Sequence, residues 1–278
     1  MIQHFHHLSN SCSRLTTERY SSSFSSAIRL LHKDIRKPVY NIYGMVRFAD
    51  EIVDSFHGFN KKQLLNEFKA ETYLALERKI SLNPILNSFQ MTVHKYDIDK
   101  DLVAFFFKSM ESDLTCNSYD TMAYKDYIYG SAEVVGLMCL HVFCEGDKNI
   151  YGKLRPFAQA LGAAFQKVNF LRDIKQDNKV LNRTYFPNVD FNNFTTANKQ
   201  QIEKDIESDF INAYNGIRLL PVKARFGVYV AYKYYLSLFK KIQRTRPAFI
   251  LEDRVRIPGY SKAFIVVRAG IRSQLNIL

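Results

Sequence analysis

The stretch VRFADEIVD, residues 46–54, decides how this chain is read. It continues RKPVYNIYGM (36–45), and through the run Ile42, Met45, Val46, Ala49, Ile52 and Val53 recur at helical spacing. A helix that is hydrophobic on most sides is normally buried. Yet Asp50, Glu51 and Asp54 sit inside it, and a buried carboxylate is costly unless it is paired or binds a metal. The placement of those acids is the question the rest of the sequence has to answer.

The pattern occurs a second time. In the first helix Tyr43, Arg47, Asp50 and Asp54 are spaced 4, 3 and 4; in FQKVNFLRDIKQD (165–177), Gln166, Asn169, Asp173 and Asp177 are spaced 3, 4 and 4. Residues three or four apart share a helix face, so each helix carries a narrow polar stripe beside apolar positions such as Val168, Phe170, Leu171 and Ile174. One Asp-x-x-x-Asp alone reads as an ordinary solvated face. A solvated face is filled with Lys, Glu and Gln, however, and the first helix offers a thin acidic line among Ile, Val, Phe, Ala and Met. Two such helices facing each other would line a cavity with opposed carboxylates, which repel unless cations lie between them. Oxygen ligands without histidine or cysteine suit a hard divalent ion such as Mg²⁺, which shares its shell with waters and substrate phosphates. Arg47 and Arg172 beside the acids suit phosphate oxygens. Acids that hold metal, and metal that holds a diphosphate in an apolar chamber, fit an isoprenoid diphosphate as substrate. The metal would assist departure of the diphosphate, the wall would keep water from the allylic cation, and Tyr and Phe faces would stabilise it.

Composition narrows the alternatives. The 278 residues are 47% hydrophobic and 24% charged, with 22 Phe, 17 Tyr, no Trp and a net charge of +12, which excludes a disordered chain and favours an anionic partner. Nucleic acid is the weakest such partner, because Lys and Arg are scattered and neither a zinc-ligand spacing nor an aromatic-basic strand motif occurs. Cys12, Cys116, Cys139 and Cys144 form no Cys-x-x-Cys pair, so a reduced, intracellular protein is expected. MIQHFHHLSNSCS lacks the apolar run of a signal sequence, and VVGLMCLHVFC (134–144) is too short to span a bilayer. Proline and glycine fall between segments of helical period, which predicts helices at 17–34, 38–56, 61–80, 82–95, 99–117, 121–145, 150–178, 196–218, 221–244 and 259–275. Pro38 and Pro221 suit first-turn positions, and TYFPNVDFNNF (184–194) reads as a loop. The expected architecture is one all-α domain over residues 1–278, with 1–16, including His4, His6 and His7, as a flexible basic terminus.

Three segments in order resemble the squalene/phytoene synthase family, from about Tyr20 to the C-terminus. RKPVYNIYGMVRFADEIVD is similar to its Arg…Tyr…Arg-x-x-Asp-Asp-x-x-Asp helix. LGAAFQKVNFLRDIKQDNKVLNRTYFP (161–187) is similar to its Gln-x-x-Asn-x-x-Arg-Asp-x-x-x-Asp helix with the following Arg-x-Tyr-x-Pro. YIYGSAEVVGLM (127–138) resembles the segment between them. The resemblance implies an isoprenoid synthase-type helical bundle around a central apolar cavity. It also implies a head-to-head prenyltransferase dependent on Mg²⁺, with Mn²⁺ able to substitute and no NADPH. By it Asp50, Glu51, Asp54, Asn169, Asp173 and Asp177 would carry the metal, and Gln166 would line the same site. Tyr43, Arg47, Arg172, Arg183 and Tyr185 would contact diphosphate or shape the chamber. YSSSF (20–24) resembles a flap over a diphosphate and points to Ser21, Ser22 and Ser23; Tyr235 in VAYKYYLSLFKKI matches a late family tyrosine.

Three positions depart from the family pattern. Glu51 replaces the commoner Asp and keeps its charge; Glu133 stands where Gly is usual and reads as a solvent-facing helix residue; Leu181-Asn182 precede Arg183 where Gly is usual. Asp113 in MESDL reads equally as structural or site-adjacent, FFF at 105–107 reads as core, and RTRPAF and EDRVRIPGYSK read as surface charge or membrane contact. The expected function is phytoene formation from two geranylgeranyl diphosphates through a cyclopropylcarbinyl diphosphate. A farnesyl-using squalene or dehydrosqualene synthase is the alternative, and a non-catalytic relative of the same fold the rival from another class. A cytoplasmic protein held peripherally on a membrane is expected; oligomeric state is not readable.

Overall fold

The computed structural model describes residues 1–179 and 183–274, and the fold is all-α. Its helices are α1 (Ile2–Tyr20), α2 (Ser22–Ile28), α3 (Lys33–Ser55), α4 (Lys61–Arg78), α5 (Pro84–Tyr96), α6 (Lys100–Ser112) and α7 (Thr121–Ile128). A π-helical turn, Tyr129–Glu133, leads into α8 (Val134–Cys144), followed by α9 (Lys148–Lys179), α10 (Thr196–Leu219), α11 (Val222–Arg244), α12 (Pro247–Glu252) and α13 (Gly259–Gln274). Among the described residues the sole β-type contact is an isolated bridge, Ser118 to Thr184, within the loops after α6 and α9.

Starts and stops follow capping chemistry. The Asn83 side chain accepts from the amides of Ile85 and Leu86 and starts α5, and Asp120 does the same for Met122 and Ala123 at α7. Thr195 and Asn198 form a reciprocal capping box on α10. Two starts differ from expectation. α3 begins at Lys33, where His32 caps it, so Pro38 lies in its second turn; Pro221 is the N-cap of α11 rather than its first residue. The predicted helix 17–34 is broken at Ser21, whose extended backbone (φ −143°, ψ 100°) and side-chain bond to the Phe24 amide end α1 and start α2.

The N-terminus is a correction. Residues 1–16 form most of α1, which packs on α3 and α5. Its buried face is made of Ser9, Ser13 and Thr17, each fully buried, so apolar periodicity does not reveal it. Ser13 Oγ lies 2.6 Å from Ser88 Oγ, Asn87 donates to Ser9 Oγ at 2.9 Å, and Asn41 donates to Asn10 Oδ1 at 2.8 Å. His6 lies on the same seam, 3.1 Å from the Asn87 amide nitrogen.

Buried apolar residues from α2 to α13 form one core cluster. α8 is wedged between α3 and α9, packing on both, which holds their polar stripes apart and leaves a chamber between them. The run Thr121–Cys144 is long and apolar enough to cross a membrane by length and composition, but more than half of it is buried in the protein. Two glycines permit close backbone approach at the π-helical turn. A Cβ on Gly130 would lie 2.5 Å from the Phe105 carbonyl, and one on Gly162 2.8 Å from the Ala132 carbonyl, so α6 and α9 both press against this turn. Phe106 and Phe107 are core, as expected, while Phe105 is partly exposed with its ring edge-on to Tyr129.

Because α1 packs on α3 and α5, deleting residues 1–16 is expected to lower the thermal unfolding midpoint by about 5 °C or more. Circular dichroism melts of the full and shortened chains test this; coincident melts would return the segment to a frayed terminus.

Candidate functional site

The chamber has a volume of about 620 Å³ and runs along α9 from Asp173 back to Leu154. That is 19 residues, or roughly 28 Å at the helical rise per residue. Its wall is apolar over most of that length, with small residues (Ala27, Gly136, Ala158, Gly216 and Gly227 among them) where helices face the cavity. All its acids lie toward one end.

That end is built from four elements. α3 presents Tyr43, Arg47, Asp50 and Asp54; α9 presents Gln166, Asn169, Arg172, Asp173 and Asp177; the segment after α9 brings Arg183 and Tyr185; and Tyr20 and Ser21 lie at the junction of α1 and α2. Tyr235 of α11 also lines the chamber, its ring stacked on Phe165 at 3.9 Å between centroids. The two polar stripes thus converge on one cavity. Ser22, Ser23 and Glu51 do not line it. Ser22 Oγ instead accepts from Lys262 Nζ at 3.2 Å, and Glu51, one residue round the helix from Asp50, is ion-paired with Arg47. Leu181 and Asn182 lie outside the described residues.

Arginines balance the acids. Arg47 donates to Asp50 at 2.9 Å and lies 4.4 Å over the Tyr20 ring. Arg172 makes a two-point contact with Asp173, at 2.9 and 2.5 Å. Arg183 donates to Asp54 at 3.2 Å and to the Asp113 carbonyl at 2.7 Å. Arg254, between α12 and α13, reaches Asp173 at 2.8 Å and lines the chamber. It comes from EDRVRIPGYSK, so the reading of that segment as surface charge or membrane contact is corrected at this residue. Nothing in its local sequence distinguishes it from neighbouring basic residues.

Asp113 is resolved as a positioning group. Tyr127 Oη donates to one carboxylate oxygen at 2.7 Å, Tyr185 Oη to the other at 3.3 Å, and Arg183 lies 3.6 Å away. This buried knot fixes Arg183 and Tyr185 against the chamber, assisted by the Thr184 amide bonded to the Asn117 carbonyl at 2.8 Å. Glu133 is also corrected. It is half-buried and accepts from Gln159 of α9 at 2.9 Å, because the wider π turn rotates it out of its expected register.

The electrostatics are those of crowded acids in an enclosed space. Burial, then Asp54, pushes the Asp50 carboxyl well above the ordinary range, although its accessible surface opens onto the chamber. Burial, then Asp173 and then Asp54 on the opposite helix, pushes Asp177 up to about 8. Asp113 is raised to about 6, chiefly by burial, against the pull of Arg183. Burial likewise raises the Tyr43 hydroxyl, whose ring packs on Phe24 at 4.7 Å.

Among the described residues no group of three acids, histidines or cysteines is gathered as a ready-made metal site. The donor set nonetheless fits a hard divalent cation. The Asp177 carboxylate has no hydrogen-bond or ion-pair partner among the described residues, and the buried Asn169 Oδ1, two turns N-terminal to it on the same stripe, has none either. Both are oxygen donors, and neither His nor thiolate stands on the two stripes. A cation there would also relieve the repulsion between Asp54 and Asp177. The arrangement can therefore hold a polyanionic head group with its counter-cations at one end of an apolar tunnel.

The family described as squalene/phytoene synthase matches residues 17–261. The chain is 25% identical over 192 residues to the 4,4'-diapophytoene synthase of Staphylococcus haemolyticus, covering 68% of this chain and 66% of that one. It is 25% identical over 175 residues to a 15-cis-phytoene synthase of a Paracoccus species, covering 60% and 56%. In both cases less than two thirds of the relative's own length is spanned. A crystal structure of a dehydrosqualene synthase in complex with ligand shares the fold with a TM-score of 0.83 at 19% identity, covering 97% of this chain and 98% of that one.

The raised Asp177 carboxyl gives a stability test. Its proton is held more tightly in the folded chain than in the unfolded one, so its ionisation opposes folding, increasingly as pH rises from about 4 toward 8. Asp177→Asn removes that penalty. In chelator-containing buffer the variant is expected to melt above the parent at pH 8, by a margin that shrinks at pH 5. A margin that does not change with pH would mean the carboxyl ionises normally.

Proposed function

The chain belongs to the squalene/phytoene synthase family of head-to-head prenyltransferases, and on that premise we propose that it joins two geranylgeranyl diphosphates to form phytoene. The observation that carries the reading is the union of two facing acidic stripes with a long apolar chamber. Arg47, Arg172, Arg183 and Arg254 are the groups that hold diphosphate oxygens, each already oriented by a carboxylate that a diphosphate could supplement. Mg²⁺, or Mn²⁺ in its place, would be held by Asp50, Asp54, Asn169, Asp173 and Asp177, and would supply the Lewis acidity that carries the charge of the leaving diphosphate.

The remaining work belongs to the wall. In the first half-reaction the allylic C–O bond of one substrate breaks, the electron pair leaving with diphosphate. The double bond of the second substrate attacks the cation, and loss of a proton closes a cyclopropylcarbinyl diphosphate. In the second, that diphosphate departs, the skeleton rearranges, and proton loss gives the hydrocarbon without a reductant. Phe165, Phe170, Tyr235 and Tyr43 turn ring faces or edges to the chamber and can offset cationic charge, while the apolar lining keeps water from quenching it. Tyr43 is suited to stay protonated, since burial opposes its ionisation. The small residues and the roughly 28 Å run along α9 favour the longer substrate. The Staphylococcus relative favours a second reading, a 30-carbon product from farnesyl diphosphate. Hydrocarbon substrates and products, together with the net charge of +12, support peripheral attachment to an anionic membrane surface on the cytoplasmic side.

The test is incubation of the purified chain with Mg²⁺ and radiolabelled geranylgeranyl or farnesyl diphosphate, with and without NADPH, followed by chromatography. A 40-carbon hydrocarbon formed without NADPH is expected. A 30-carbon product alone selects the second reading. Asp50→Asn with Asp173→Asn is expected to stay folded by circular dichroism and lose at least about a hundredfold in turnover; a fully active double variant would refute the acidic clamp.

A further inference from the structure

The last described helix presents an apolar face that nothing among the described residues covers. Tyr260, Phe264, Val267 and Ile271 of α13 are 78, 66, 61 and 55% exposed. Their spacing of 4, 3 and 4 puts them on one stripe. At the helical turn per residue that stripe is centred opposite Ala269, which is buried, and Ile265 and Val266 also pack inward. The helix is therefore apolar on two opposite sides, one seated on α11 and one facing out. Scattered exposed apolar residues are ordinary, but four large ones aligned on a single short helix mark a docking face.

The flank of the stripe supplies the second observation. α13 carries Lys262, Arg268 and Arg272 and no Asp or Glu. On the neighbouring α11, the Lys233 ammonium is held below its ordinary pKa by burial and then by Arg272, Lys240 and Arg268, with no carboxylate among the described residues acting on it. In the chamber the cations are matched by acids, as Arg47, Arg172 and Arg183 are. Here four of them stand together beside a greasy stripe.

We propose that this face of α13 docks on an anionic lipid surface, with Tyr260, Phe264, Val267 and Ile271 entering the boundary between headgroups and acyl chains. Lys233, Lys240, Arg268 and Arg272 then meet the headgroup charge. This combination of large apolar side chains and flanking Lys/Arg is that of a helix lying in a membrane interface. A second copy of the chain fits less well, since a two-fold contact would set the same cations against each other. The inference rests on the membrane-surface reading above and assigns it a face. It also orients the site. Lys262 on this helix holds Ser22 of α2, and Arg254, five residues before α13 begins, holds Asp173. Docking α13 would bring the diphosphate end of the chamber to the bilayer, from which a prenyl chain can enter and to which the hydrocarbon can return.

The test is co-sedimentation of the full chain with phosphatidylcholine vesicles, with and without phosphatidylglycerol, at low and high salt. The parent is expected to bind the phosphatidylglycerol vesicles and to bind less as salt rises. Phe264→Glu with Val267→Glu should weaken that binding by about tenfold or more, with circular dichroism and turnover of detergent-dispersed substrate unchanged. Arg268→Gln with Arg272→Gln should weaken it less and flatten the salt dependence. If the parent binds and the Phe264/Val267 variant binds equally, the face is wrong while the membrane reading stands. If the parent binds neither vesicle, both fall. A parent that is dimeric without lipid, and monomeric in the Phe264/Val267 variant, would give the face to a second copy instead.

Discussion

The confinement of carboxylates from α3 and α9 in one enclosed space is the constraint around which the rest of the molecule is arranged. Burial, then Asp173, then Asp54 on the other helix make ionisation of Asp177 harder, and burial, then Asp54 on its own helix, raises Asp50. Such a site lowers the stability of the fold and persists only because the surrounding packing over-determines it. Each structural device near the chamber serves that end. α8 keeps the two stripes from closing on each other, the arginines hold the acids without neutralising all of them, and the Asp113 knot fixes Arg183 where it reaches Asp54. The acidic end of the chamber is thus fixed by contacts within the chain itself.

Arginine distribution follows the same logic. A Lys in place of Arg172 could not make the two-point contact with Asp173, nor could it leave one edge of the head group free for a phosphate. Arg254 approaches that same carboxylate from the other side, so Asp173 is shared between a helix residue and a loop residue. The Asp177 carboxylate, by contrast, has no such partner among the described residues, which makes it the acid on α9 with most to gain from a cation. Along one stripe, then, Asp173 is engaged by two arginines while, among the described residues, Asp177 is not.

How much of this is legible in the sequence depends on the kind of packing involved. Helices with an apolar stripe, such as α4, α10 and α11, are readable to within a few residues, because burial of a greasy face leaves a period in the sequence. The convergence of Asp50, Asp54, Asp173 and Asp177 is readable too, because a carboxylate inside an apolar run is tolerated only where a cation or a partner meets it. α1 is not, since its seam is Ser9, Ser13 and Thr17 against Asn87 and Ser88, and small polar residues at helical spacing look like a solvated tail. The place of Glu133 is hidden because a π turn inserts a residue's worth of rotation that no local pattern announces. Arg254 is hidden because long-range pairing, not its neighbours in sequence, makes it different from Arg256. Glu51 is the opposite case, a residue that the sequence places in the site and the fold does not. It adjoins Asp50, but one residue along a helix is about 100° of rotation, and Glu51 pairs with Arg47 without itself lining the chamber.

Rigid contacts keep so long a chamber open. A cavity of this length between helices collapses unless rigid contacts at its ends hold them apart. At one end those contacts are ion pairs. Along the wall they are backbone approaches, where the π turn meets Gly162 and where Gly216 lies so close to Phe157 that a Cβ there would overlap it. Close approach at such points stiffens α9 against α8 and α10, while side chains elsewhere along the same helices stay short and leave space. Removing bulk from the wall and adding rigidity at a few glycines are therefore one design: the volume that a prenyl chain would fill is kept open by contacts too tight to admit even a methyl group.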